Sequence, residues 1–250
     1  MTASDSHQPL ASTAPSHAER PLPTLTSNQH GDDAAIRWSL LGLTAVTGVV
    51  DAVSFLGLGH IFTANMTGNV VFLGFAMGGG TGVSVARSLT ALSAFACGGI
   101  CGGRVNTRDL TPARSLLTAM CFESLLLLLA VASAVPPEFN ASSVAYIVIV
   151  STALAMGLRN AVVRKLGVPD LTTTVLTMTI TGLAADSRLA GGKGDRSSTR
   201  MLSIAAMCIG ATGGAVLLGR FGVAAALGVA ALVVAGLSSF LYSSLRHGSA

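Results

Sequence analysis

Two stretches of hydroxyl and amide side chains recur inside an otherwise apolar chain. The first is Thr63-Ala64-Asn65-Met66-Thr67-Gly68-Asn69, and the second is Thr172-Thr173-Thr174-Val175-Leu176-Thr177-Met178-Thr179. Each follows a shorter polar signal by a similar interval: Gly48-Val49-Val50-Asp51-Ala52-Val53 before the first, Gly157-Leu158-Arg159-Asn160-Ala161-Val162 before the second. Hydroxyls and amides hydrogen-bond a neutral or anionic solute without burying a charge, and a half-helix beginning at either motif would add free N–H groups that favour an anion. Gly68 allows close backbone approach. Asp51 is an acid inside an apolar segment, where charge is costly and function is the default expectation. Its counterpart Asn160 keeps the shape without the charge. Asp51 is therefore a candidate for a coupling proton or Na⁺, or for a hydrogen bond to the broken segment after it. The candidate solute- or ion-binding set is Asp51, Thr63, Asn65, Thr67, Gly68, Asn69, Asn160, Thr173, Thr177 and Thr179. For each hydroxyl alone, a bond to a helix carbonyl is the competing expectation.

These residues need a membrane scaffold. The 250-residue chain is 51% hydrophobic and only 10% charged, far below the roughly 25% charge of soluble domains. Its mean hydropathy is +0.67. Its net charge of +4 is scattered through short loops, which does not suit nucleic-acid binding. Residues 1–34 are rich in Ser, Thr, Pro and His and have no apolar run of the kind a signal peptide requires; they read as a disordered cytoplasmic tail. A membrane domain follows over 35–245, with repeats at 36–136 and 142–243.

Eight apolar segments are expected: 36–59, 60–80, 82–103, 113–136, 142–160, 169–186, 199–219 and 221–243. The second and sixth each begin with a polar half, leaving about half of the roughly 20 residues a crossing needs. Basic residues decide their path. If all eight segments cross, Lys and Arg divide almost evenly between the two sides. If the second and sixth enter and leave on one side, nearly all fall on the side of the N-terminus, as cytoplasmic loops require. Each unit then crosses three times, so the two are inverted relative to each other, a transporter plan with broken helices meeting inside the membrane. Kinked crossing helices remain the alternative. The expected fold is all-α: a polytopic bundle of about six transmembrane helices plus two broken or re-entrant segments.

Glu123 is expected to face the interior or pair with an arginine, and Arg159 to snorkel at the end of its helix. Cys97, Cys101, Cys121 and Cys208 read as small packing residues, without the further ligands a metal site wants. Cys97, Gly99, Gly102 and Gly103 match Cys208, Gly210, Gly213 and Gly214 at a constant spacing of 111. These glycine-bearing helices are expected to pack tightly, across the pseudo-two-fold axis or at a dimer interface.

The signature from Asp51-Ala52-Val53-Ser54-Phe55 to Phe62-Thr63-Ala64-Asn65-Met66-Thr67-Gly68-Asn69, with the second set from Gly157 to Thr177, resembles the YoaK-like family of bacterial integral membrane proteins. The likeness covers residues 36 to 245 and implies an inner-membrane protein of about six crossings. It implies no activity.

The functional expectation is a secondary transporter or permease for an unidentified small solute or ion, with its site between the two Thr/Asn-rich segments. The alternative is a non-catalytic scaffold or sensor for partner helices. No metalloprotease or serine-hydrolase motif is present, so an enzyme is not expected, nor are a cofactor, a metal or a nucleic-acid partner. The partners expected are the lipid bilayer, the solute and a second copy in a homodimer. The location expected is the inner (plasma) membrane, multi-pass, with both termini cytoplasmic.

Overall fold

A computed structural model describes residues 27–105, 110–135, 141–168, 176–192 and 194–247. Seven α-helices follow in order: α1 Ser27–Gly57, α2 Met66–Met77, α3 Val85–Val105, α4 Pro112–Ala134, α5 Ala141–Leu166, α6 Leu176–Ala185 and α7 Ser197–His247. The described residues contain no strand. Five helices are long and apolar enough to span a membrane. The last of these is two helices in series, because Gly222 inside α7 has φ 82° and ψ −179°. The two halves, 197–221 and 223–247, bring the spanning helices to six. The protein is a polytopic helical bundle.

Helix α1 starts at Ser27, inside the stretch expected to be tail. After Pro23 no proline interrupts the run into the apolar segment, and the helix runs through Gly31, so it extends backwards beyond that segment. Residues 1–26 lie outside the described residues.

Helices α2 and α6 have 12 and 10 residues, about 18 and 15 Å at 1.5 Å per residue. Neither crosses a hydrocarbon core about 30 Å thick. The path around α2 is explicit. After α1 the chain reverses at Gly59 and His60, both at positive φ (88° and 57°). It then runs back beside α1 until the Ala64 N–H meets Asp51, and α2 begins there. Helix α3 starts back at the α1 exit: Arg87 Nη1 donates to the Leu58 carbonyl at 3.0 Å. Segment α2 therefore enters and leaves at one end of the bundle. At α6, Arg200 near the start of α7 donates to the Gly182 carbonyl and to Asp186 Oδ2 (2.7 Å).

Glycines set the helix pairing. A methyl group on Gly48 of α1 would strike the Met207 carbonyl, and one on Gly210 would strike Ala45. In the same way Gly157 of α5 meets the Phe95 carbonyl, and Gly98 meets Leu154. One turn on, Gly214 abuts Val49 and Ala52, while Gly102 abuts Leu158 and Ala161. Residue numbers rise together along both contacts, so α1 runs parallel to 197–221 and α3 parallel to α5. The glycine-rich helices α3 and 197–221 therefore pack on α5 and α1, not on each other as expected. The two contacts correspond residue by residue. Ala45, Gly48, Val49 and Ala52 lie 109 positions before Leu154, Gly157, Leu158 and Ala161. Phe95, Gly98 and Gly102 lie 112 positions before Met207, Gly210 and Gly214. This contact spacing differs by one residue from the spacing of 111 between the cysteine-bearing motifs. All four cysteines are exposed on the bundle, not packed inside it.

The outer face is apolar, as lipid contact requires. Leu125 (62% exposed), Ile209 (69%) and Leu232 (72%) point away from the core. Trp38 and Tyr242 are also exposed, and the contact of Gly42 with Leu237 places them at the same end, where interfacial aromatics belong.

Two measurements check this fold. Gly210→Leu removes a backbone–backbone approach and is expected to cost about 1–3 kcal/mol, read as a lowered melting point in detergent; Gly213→Leu, which meets nothing nearby, leaves it unchanged. In a cysteine-free background, Thr81→Cys and Leu189→Cys are expected to react with an impermeant maleimide from opposite sides. Labelling from the same side would mean that α6 crosses.

Candidate functional site

The helix break after α1 leaves peptide groups inside the bundle, and each needs a partner. Two side chains provide them. Asp51, six residues before the end of α1 and 6% exposed, accepts the Ala64 N–H on Oδ1 at 3.0 Å. The backbone N–H groups of Asn65 and Thr63 also lie near its carboxylate. Asn69, fully buried on α2, holds Phe62 from both sides. Its Oδ1 accepts the Phe62 N–H at 2.9 Å, and its Nδ2 donates to the Phe62 carbonyl at 2.6 Å. Gly68 lets the Phe62 ring lie flat against α2: a Cβ there would sit 2.6 Å from the ring. Phe62 stacks on Phe55 (5.0 Å) and on Phe72 (5.9 Å), whose own rings lie 6.1 Å apart, so the three form a cluster.

A cavity of about 910 Å³ opens between the first turns of α2 and α6. Asn65 and Thr67 line it from α2, Thr177 from α6, Asp51 and Thr47 from α1, and Asn160 and Arg164 from α5. Phe95 and Gly99 of α3 and Met207 of α7 complete the wall. Asn65 stands at the N-cap of α2, yet its side chain makes no capping bond. The Asp51 carboxylate takes the place of an anion at that helix start.

Of the expected site residues, the structure gathers Asp51, Asn65, Thr67, Asn160 and Thr177 around this cavity. Thr63, Gly68, Asn69 and Thr179 are not among its lining. Asn69 and Gly68 secure the break, Thr179 is buried, and the buried Thr63 hydroxyl has no hydrogen-bond partner. Thr173, with Thr172 and Thr174, lies outside the described residues.

Beneath the cavity lies a charged contact: Glu123 is buried and pairs with an arginine, as expected, but that arginine is Arg159, which was expected at the end of its helix. Arg159 is fully buried and does not snorkel. Helix α5 continues to Leu166, leaving Arg159 about 10 Å inside its end. Its Nη1 pairs with Glu123 Oε1 of α4 at 2.8 Å and bonds the Leu43 carbonyl at 3.3 Å. Its Nη2 bonds the Thr47 hydroxyl of α1 at 2.5 Å. One guanidinium thus joins three helices and reaches the cavity wall through Thr47. The apolar run Ala161-Val162-Val163 after Arg159 was the signal that the helix goes on. Nothing in the sequence paired Arg159 with Glu123, 36 positions away. Among the described residues no group of His, Cys, Asp or Glu could hold a metal ion.

These features define a class: an integral membrane protein of six spanning helices with a polar cavity between two half-length ones. Within it, residues 39–240 match the family model described as "Protein of unknown function (DUF1275)". The chain belongs to that family. It is also 37% identical over 188 residues to the UPF0700 transmembrane protein YoaK of Bacillus subtilis (strain 168), across 71% of this chain and 82% of the relative. The YoaK-like resemblance read from the two signatures is thereby confirmed. No solved structure matches the chain.

Removing one partner of a buried ion pair strands the other. Arg159→Met is expected to destabilise the bundle by about 3–5 kcal/mol, and Glu123→Leu similarly. The double variant is expected to recover much of the loss in thermal melts. Additive losses would show that the two side chains act independently.

Proposed function

We propose that the protein is a non-enzymatic permease of the plasma membrane that binds a small polar solute in the cavity between α2 and α6. The observation that carries this reading is the convergence of Asp51, Asn65, Thr67, Asn160 and Thr177 on one 910 Å³ space from four separate helices. A bundle that only had to pack would fill such a space with apolar side chains. In transporters of this architecture, substrates sit where the ends of discontinuous helices meet inside the membrane. The amides and hydroxyls offer both donors and acceptors. Asp51 and Arg164 place one charge of each sign at the cavity wall.

The reading includes an internal repeat. Helices α1 to α4 form one unit and α5 to α7 an inverted second one, related by the matched spacings of 109 and 112 residues. The run directions bring the start of α1 and the end of α7 to one end. Arg37, Arg104, Arg114, Arg164, Lys165, Arg200 and Arg246 gather at that end, leaving Arg87 and Arg220 at the other. By the positive-inside rule it is the cytoplasmic end.

The test is aqueous access. In a cysteine-free background, Asn65→Cys, Asn160→Cys and Thr177→Cys are expected to react with a charged, water-soluble thiosulfonate in membrane vesicles, whereas Leu125→Cys and Leu232→Cys on the lipid face are not. Reagent from opposite sides is expected to reach the cavity positions in different proportions as conformations exchange. Failure of all three cavity positions to react from either side would mean a sealed space and would favour the scaffold reading.

A further inference from the structure

A second concave site lies at the end that holds the start of α1 and the end of α7. Arg114, in the first turn of α4, and Arg246, in the last turn of α7, flank a cavity of about 460 Å³ with Tyr242 beside them and Leu110, Leu117 and Leu245 forming its apolar wall. Both arginines and Tyr242 are exposed. We propose that this groove is a specific site for an anionic phospholipid, with the headgroup phosphate between Arg114 and Arg246 and an acyl chain running down α4.

Three observations support a lipid as the occupant. The first is charge: two guanidiniums on different helices border one groove, and guanidinium forks suit phosphate oxygens. The start of α4 adds partial positive charge, with Thr111 as N-cap and Pro112 in the first turn. The second is continuity with the lipid-facing surface. From Leu117 the stripe Cys121, Leu125 and Leu128 follows at helical spacing, and all three are exposed. A free phosphate would use only the arginines; a phospholipid would use the arginines and this stripe. The third is depth. Tyr242 lies one turn inside Arg246, the level at which an amphipathic ring meets the headgroup region. Basic pockets between helices at the cytoplasmic face suit anionic headgroups for the same reason. The site is separate from the cavity between α2 and α6 and stands whether or not that cavity carries a solute.

The test is native mass spectrometry of the full-length protein released from micelles holding equal amounts of phosphatidylglycerol and phosphatidylcholine. Wild type is expected to retain phosphatidylglycerol about tenfold over phosphatidylcholine, the order expected of two arginines at a membrane surface. Arg114→Ala/Arg246→Ala is expected to fall to near parity. Arg220→Ala, at the opposite end, keeps the preference. Millimolar inorganic phosphate leaves it in place if the acyl chain contributes. No preference in wild type, persistence in the double variant, or full displacement by phosphate alone would overturn the proposal. Should the double variant not fold, wild type at rising salt decides. A preference that collapses between about 0.05 and about 0.5 M salt supports the site, since screening acts over that range; an unchanged one refutes it.

Discussion

A chain that stops being helical inside a membrane exposes peptide groups that lipid cannot hydrogen-bond, and much of this structure answers that constraint. The break after α1 exists because Asp51 and Asn69 stand on either side of it. Asp51 accepts the Ala64 N–H, with the N–H groups of Thr63 and Asn65 close by. Asn69 satisfies both backbone groups of Phe62 with one amide. Neither side chain is replaceable by shape alone: the first must accept repeatedly, and the second must accept and donate at once. Once the break is held, α2 can be short. A short α2 leaves the space that becomes the cavity.

The glycine contacts address the other demand, keeping helices together where water supplies no hydrophobic force. Close backbone approach does this through packing. In α1 and α5, Gly48 and Gly157 each receive a carbonyl from a parallel neighbour. The contacts are as close as a helix pair permits, so the walls of the cavity are rigid on the sides made by α1, α3, α5 and 197–221. The half-helices are lighter. Helix α2 rests on α3 and an aromatic stack, and α6 is secured near its end by Arg200. Any motion that admits a solute would fall on these two short elements before the four long ones.

The sequence made the plan legible and left its wiring hidden. Composition, the two polar motifs and the placement of basic residues were enough for six crossings and two half-length segments, because these depend on length and hydropathy. Asp51, Asn65, Thr67, Asn160 and Thr177 were legible as one group because the two polar motifs follow Asp51 and Asn160 at similar intervals. Which way a side chain turns was not legible. Cys97 and Gly98 are neighbours, and only packing decides that the glycine faces α5 while the cysteine faces out. Thr67 and Asn69 looked equivalent, yet two positions along a helix take one to the cavity and the other to the loop behind it. The choice of Arg159 as the partner of Glu123 was hidden for a further reason: Glu123 lies outside both polar motifs, so their pairing could not point to it.

Under the proposed repeat, one asymmetry is the most informative departure from two-fold balance. Position 50 is Val and position 159, its equivalent 109 residues on, is Arg; one position further, Asp51 corresponds to Asn160. Val50 is buried in the apolar core, while Arg159 ties α5 to α4 and α1. The charged side chains nearest the cavity floor thus bind unlike partners in the two units. In the first, a carboxylate grips the start of a half-helix through charge-assisted bonds, roughly twice as strong as neutral ones. In the second, the same position offers only an amide. Two units with matched backbones but unmatched grip would not open with equal ease. On the proposed reading, the duplication would supply two similar ends, and the Asp51, Arg159 and Glu123 set would make them differ in energy.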